Sequence, residues 1–204
     1  MSNSVWGRIE ESRNRWNVLR HPFYERWSRG ELTIEELGRY SGQYRHAVEA
    51  IADMSAAVAE AAPERPELAH HAEEEGEHVR LWDGFVTAVG GSSDAVPNAE
   101  TSDCVAAWTA DDGLLARLAR LYAVESGQPQ ISHIKRDGLG AFYDINGWTA
   151  TAYFRVHELR DTEHAAQSRE LIEELSTPAD DDEIVAAAES TFKANWRLLD
   201  GVDG

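Results

Sequence analysis

The chain is poor in cysteine, in lysine and in long apolar runs, and each shortage removes a class of protein. A single cysteine, Cys104, among 204 residues rules out an intrachain disulfide framework and makes a reducing cytoplasm the expected setting. No apolar stretch approaches the roughly 18 to 20 residues that span a bilayer. Met1 to Glu11 carries charge with no apolar segment behind it, so a soluble, unsecreted, cytoplasmic protein is expected. Only two lysines, Lys135 and Lys193, stand among 19 basic residues, against 37 acidic ones. The resulting net charge of -18 argues against nucleic acid and anionic membranes as partners, since both attract clustered Lys and Arg. An acidic, lysine-poor surface suits concentrated salt, where screening over about 3 Å at 1 M removes self-repulsion. A salt-loving source is therefore expected, and in such a chain a lysine retained in place of arginine is a candidate for a specific role.

The sustained alternation of a half-buried strand is also missing, and helical periodicity runs from end to end. With 42% hydrophobic residues, the chain is long enough for one domain and short for two, so residues 1–204 read as a single all-α domain. The pattern places a first helix at about 3 to 19 and a short one from His21-Pro22 through Trp27. Thr33-Ile34-Glu35-Glu36 is a capping box that opens a long helix to about Ala62. Further helices are expected at about 65 to 89, 102 to 109, 113 to 127, from Pro129 through Tyr143, 147 to 175 and 181 to 200.

The chemistry lies in three of these segments. His157, Asp161 and His164 stand at offsets 0, 4 and 7, which brings the last two to within roughly 40° and 20° of the first on one helical face. Ordinary packing does not ask a helix for two imidazoles and a carboxylate in one stripe; a metal site or a solvated face does. The helix at 65 to 89 offers Glu74 or Glu75 with His78, at i+4 or i+3, and Leu81, Trp82 and Phe85 turn that stripe inward. Glu125 shares the apolar side of its helix with Leu114, Leu118 and Leu121, where a carboxylate needs a partner. Together these give Glu74, His78, Glu125, His157, Asp161 and His164 as candidate ligands, with Glu75 as the alternative to Glu74. Two divalent ions would set +4 against three carboxylates, and mixed carboxylate and imidazole ligation with open positions suits iron or manganese better than structural zinc. Glu75-x-x-His78 and Asp161-x-x-His164 mimic the pairs of a ferritin-like bundle, and Glu49 could add a carboxylate, but His157 and the break at Pro129 point to a different bundle. His70, His71 and His133 read as surface or outer residues, and His46 as pocket lining.

Several segments carry a family resemblance: His21 through Thr33, Glu74 through Trp82, Leu121 through Lys135, and Tyr153 through His164. They resemble the haem-oxygenase-like di-iron oxidases, which share a TenA/PqqC-like helical bundle of about seven helices with thiaminase II and the pyrroloquinoline-quinone C protein. The branch most similar is the CADD-type enzymes, understood to make para-aminobenzoate by sacrificing one of their own tyrosines. The resemblance implies two iron ions (manganese as a variant), dioxygen as co-substrate, an external reductant and a product for folate-type cofactor biosynthesis; homodimers are common in the family. It also implies Tyr24 as the sacrificed ring, Tyr40 as a neighbouring redox-active phenol and Lys135 as amino-group donor. Val124 stands where the resemblance leads one to expect a tyrosine before the glutamate.

Other readings stay open on the sequence. Tyr24, between Phe23 and Trp27, also fits an ordinary packed aromatic, and Lys135 an ordinary surface lysine. A di-iron oxidase acting on a small amino acid or fatty acid is an alternative, as is a metal-free thiaminase II or PqqC-like protein. The thiaminase reading needs a nucleophilic cysteine, and Leu114 to Gln128 contains none. A noncatalytic scaffold would have no use for three inward carboxylates.

Overall fold

A computed structural model of the chain describes residues 4–203, and the described residues form nine α-helices with no strand. They are α1 (Val5–Arg15), α2 (Pro22–Trp27), α3 (Ile34–Ala61), α4 (Pro66–Ala88), α5 (Ala99–Trp108), α6 (Leu114–Glu125), α7 (Gln128–Tyr143), α8 (Trp148–Leu175) and α9 (Asp181–Asp200). The nine correspond to the nine segments that the helical periodicity marks, two more than the bundle of about seven that the resemblance implies. None is long and apolar enough to cross a membrane.

The helix ends follow local chemistry. Thr33 and Glu36 close the capping box: the Glu36 N–H donates to Thr33 Oγ1 at 3.1 Å, and the Thr33 N–H donates to Glu36 Oε2 at 2.7 Å. The first helix is shorter than the expected 3 to 19. It stops at Arg15 because Asn17 accepts the Leu19 N–H and starts a single 3₁₀ turn at Val18–Arg20. Asn3, inside that expected span, lies outside the described residues. Asn98 caps α5 and starts it at Ala99, three residues before the expected Ser102.

Helix α8 is the hub, packing against α4, α6 and α7, while α3 lies on α4 and α9 covers α1, α5 and α6. Helices α4 and α8 run antiparallel, since His71 meets His164 and, two turns on, His78 meets His157. Two glycines allow the close approaches. A Cβ at Gly84 would lie 2.4 Å from the Thr149 carbonyl at the start of α8, and one at Gly138 would lie 2.7 Å from the Trp27 ring. Trp27, Trp82, Phe85 and Phe154 fill the space beside this seam, all fully buried.

Gly84→Ala is expected to destabilise the chain by about 1–3 kcal/mol in urea unfolding, because the backbone oxygen it strikes cannot swing away. Gly76→Ala, with nothing within 4 Å of the added methyl, is expected to stabilise by about 0.5–1 kcal/mol. The opposite ranking would contradict the packing of α4 on α8.

Candidate metal centre

The α8 stripe His157, Asp161, His164 is buried on the face that α8 turns toward α4. Helix α4 answers with His71, Glu75 and His78, at the same offsets of 0, 4 and 7. Because the helices are antiparallel, the two triplets pair end to end. The His71 and His164 rings lie 3.9 Å apart between centroids, His78 and His157 lie 4.4 Å apart, and Glu75 sits between the two pairs. Glu75 Oε1 is 3.2 Å from His78 Nδ1, 3.8 Å from His71 Nε2 and 3.9 Å from His164 Nδ1; its Oε2 is 3.8 Å from His157 Nε2. Glu125 enters from the end of α6, with Oε1 2.9 Å from His71 Nε2.

Two sets of ligand atoms result, each within 4.8 Å of one another: His71, Glu75 and His164, and Glu75, His78 and His157. Metal–ligand bonds of about 2.0–2.3 Å place ligand atoms at such separations. The stronger indication is what these atoms lack. His71 Nε2, His78 Nδ1, His157 Nε2, His164 Nδ1 and both oxygens of Glu125 and of Asp161 are buried without a hydrogen-bond partner, the short approaches being misaligned for one. Buried polar groups are nearly always satisfied, so eight orphaned atoms converging from three helices fit a site for cations. The far nitrogens of two rings are held: His157 Nδ1 lies 2.8 Å from the Tyr153 carbonyl, and His164 Nε2 lies 3.1 Å from Glu74 Oε2. Such outer contacts fix the ring and leave the inner nitrogen to a metal.

Glu74 is therefore corrected from its expected place. One residue of helix rotation carries it to the rim, a fifth exposed, where it holds His164 and approaches Arg160 and His70, while Glu75 takes the centre. His71 is the residue that spacing arguments confined to His78 missed. The repeated histidine, three residues, carboxylate, two residues, histidine pattern on α4 and α8 was the available signal. His70 and His133 are exposed as expected. Glu49 pairs with Arg45 and His46, and His46 contacts the Ala95 carbonyl, so neither reaches the centre.

The electrostatics are those of too much negative charge in a dry space. Burial, reinforced by the neighbouring Glu75, pushes Glu125 well above the ordinary carboxylate range. Burial likewise raises Asp161, against the opposing pull of His157. Burial opposes ionisation of Glu75 too, but His157 and His78 beside it outweigh that and hold it below the ordinary value.

Next to the centre lies a second buried group. Tyr24 and Tyr40 share a hydrogen bond of 2.9 Å between hydroxyls, and Lys135 Nζ donates to the Tyr40 hydroxyl at 2.7 Å. The Lys135 amine also lies 4.9 Å from the centre of the Tyr24 ring and 4.7 Å from that of Tyr44. All four residues are buried, so Lys135 is no surface lysine; desolvation with no carboxylate partner lowers its pKa well below the ordinary lysine value and favours the neutral amine. The rings of Tyr153 and Trp82 join the two clusters: Tyr153 stacks on His157 at 3.9 Å and packs 4.8 Å from Trp82, itself 6.0 Å from Tyr40. Cys104 is buried on α5 with its thiol pushed upward by burial, the reverse of an activated nucleophile.

Comparison with known proteins shows the family. Residues 39–196 match the family model described as iron-containing redox enzyme. The chain belongs to this family. It is 33% identical to a 4-aminobenzoate synthase of Nitrosomonas europaea over 91% of this chain and 85% of that protein. It is likewise 33% identical to a 4-aminobenzoate synthase of Chlamydia muridarum over 90% of this chain and 84% of that one. Among solved structures, a TenA homologue from Pseudomonas syringae superposes with a TM-score of 0.84 at 16% identity, covering 98% of this chain and 91% of that one. A TenA homologue from P. horikoshii gives 0.78 at 15%, covering 98% of both chains. The fold is thus haem-oxygenase-like and TenA-like, and the protein is an iron-containing oxidoreductase.

For a member of the iron-containing redox enzymes, the positions of Glu74 and Glu75 lead to different outcomes on substitution. Glu75→Gln is expected to lose most bound iron even at saturating ferrous ion, by elemental analysis. Glu74→Gln should keep the full stoichiometry with affinity weakened about 10–100-fold, the usual effect of losing an outer contact. Equal iron loss in both variants, or greater loss in Glu74→Gln, would refute the assignment of Glu75 to the centre.

Proposed function

We propose that the protein makes 4-aminobenzoate from its own Tyr24, using dioxygen and an external reductant at a pair of irons held by Glu75, His78, Glu125, His157, Asp161, His164 and His71. The observation that carries this reading is the sealed contact of Tyr24, Tyr40 and Lys135 beside the carboxylate and imidazole cluster. Bound iron supplies the reaction with dioxygen that no side chain here provides. Each metal position offers two imidazoles with carboxylates, a donor set suited to non-haem iron with open positions; manganese accepts the same donors.

A tyrosine side chain already has the carbon frame of the product. Its ring bears carbon at one end and oxygen at the other, so the conversion cleaves Cα–Cβ, oxidises Cβ to a carboxylate at the expense of dioxygen, and replaces the phenol oxygen, released as water, by the Lys135 nitrogen, whose Nζ–Cε bond is broken in the transfer. The residues around Tyr24 serve those needs. Lys135 Nζ, favoured as the neutral amine by burial, carries a lone pair and lies beside the ring it would aminate. Tyr40 bridges the Tyr24 hydroxyl and the amine and can pass a proton between them. Trp27, Phe23 and Trp82 exclude water from these groups. The relatives named 4-aminobenzoate synthase support the same product. The acidic, lysine-poor composition supports a concentrated-salt cytoplasm as the setting.

Ferrous iron, reductant and oxygen are expected to yield at most about one 4-aminobenzoate per chain, with a matching change in intact mass at residue 24, and Tyr24→Phe should abolish the product. Sustained turnover of an added amino acid or fatty acid, or product from Tyr24→Phe, would overturn the self-sacrificing reading. Lys135→Met should also lose the product yet raise the melting temperature by a few degrees at neutral pH. The sign follows from a folded pKa depressed below the unfolded one: the burden of a buried amine is greatest at low pH and disappears as pH rises past the unfolded value near 10.4. A stability gain that grows with pH would contradict a neutral buried Lys135.

A further inference from the structure

A cavity of about 200 Å³ opens between α1, α7, α9 and the C-terminal end of α6. Val124, Ile131 and Phe192 give it an apolar wall. Four of its lining residues carry buried polar atoms with no hydrogen-bond partner: Arg13 Nε, Trp16 Nε1, Ser126 Oγ and Asn195 Oδ1. The Arg13 guanidinium is tied to Glu10 through its terminal nitrogen only, which leaves Nε unused. None of these residues belongs to the metal cluster or to the Tyr24 group. Buried polar atoms are ordinarily satisfied, and the four here include two N–H donors, one hydroxyl and one carbonyl acceptor.

The cavity is also one side chain from the aromatic group. Asn195 lines it and lies beside the Tyr44 hydroxyl together with Gln128, and the Tyr44 ring carries Lys135 Nζ at 4.7 Å. The volume suits a single ring, Val124, Ile131 and Phe192 offer that ring an apolar contact within a mixed lining, the donors suit a carboxylate, and the Asn195 oxygen suits an amine. We propose that this cavity binds a small aromatic acid bearing an amine, and that it holds the ring acid on its way out of the core. The identity of that acid as the product rests on the function proposed above; the cavity's preference for a ring acid rests on its own residues.

The test is calorimetric titration of the full-length, iron-loaded protein, kept anaerobic so that no product forms, with 4-aminobenzoate and with aniline. Saturable binding of one 4-aminobenzoate per chain is expected, with aniline at least about tenfold weaker because it lacks the acid. Leu19→Trp, which adds bulk to the cavity lining, and Arg13→Gln should each weaken binding at least about tenfold while circular dichroism and melting stay unchanged. Absence of saturable binding overturns the proposal, and so does binding that a folded Arg13→Gln or Leu19→Trp leaves intact, or equal affinity for aniline. The two readings fail separately. Product formation without binding defeats the cavity alone; binding without product formation defeats the self-sacrificing function and leaves the cavity as a site for an external aromatic acid.

Discussion

Three carboxylates and four imidazoles share one dry space between α4, α6 and α8, and their inner atoms have almost only one another for company. Much of the surrounding architecture is arranged around that constraint. Unpaired buried carboxylates are among the costliest features a core can contain, and mutual repulsion raises the cost further. Two divalent cations held by these groups would reverse the balance, so cation binding and stability of this seam are expected to be strongly linked. The antiparallel run of α4 against α8 is what makes a two-centre arrangement available. It sets one triplet against an inverted copy of itself, with Glu75 common to both ends.

The neighbouring group poses the opposite problem. Lys135 is a base in a space without a carboxylate, surrounded by the rings of Tyr24, Tyr40 and Tyr44. Burying an amine without a carboxylate beside it costs stability, which is the pattern of a group retained for chemistry. Tyr153 touches both regions, stacking on His157 and packing against Trp82, so a rearrangement at the metal ligands has a direct mechanical route to the tyrosines. Position 124, where a tyrosine was expected, carries a valine that lines the outer cavity instead.

Most of this was legible in the residues. The α8 stripe declared itself through its spacing, and the apolar neighbours of Glu125 announced a buried carboxylate. The capping box at Thr33 marked the start of α3 to the residue, because side-chain and backbone partners at fixed offsets leave little freedom. Glu74 and Glu75 could not be separated from His78 alone, since i+3 and i+4 both share its face. His71 would have decided it, being four residues before Glu75 and seven before His78, but adjacent His70 and a run of glutamates made that stretch look solvated. Lys135 had a faint signal: Ile131 and Leu139, four residues on either side, put it on the buried stripe of α7. What no periodicity could reveal was the meeting of α2, α3 and α7 that brings Tyr24, Tyr40 and Lys135 together, because those contacts span up to 111 residues of sequence, from Tyr24 to Lys135.

The central claim is that Glu75 stands between two metal ions, one beside His71 and His164 and the other beside His78 and His157. Anomalous diffraction at the iron edge from crystals loaded anaerobically with ferrous ion measures this directly. The account predicts two anomalous peaks flanking the Glu75 carboxylate. A single peak, peaks in contact with Glu74 and not Glu75, or a pair that excludes His71 would contradict it.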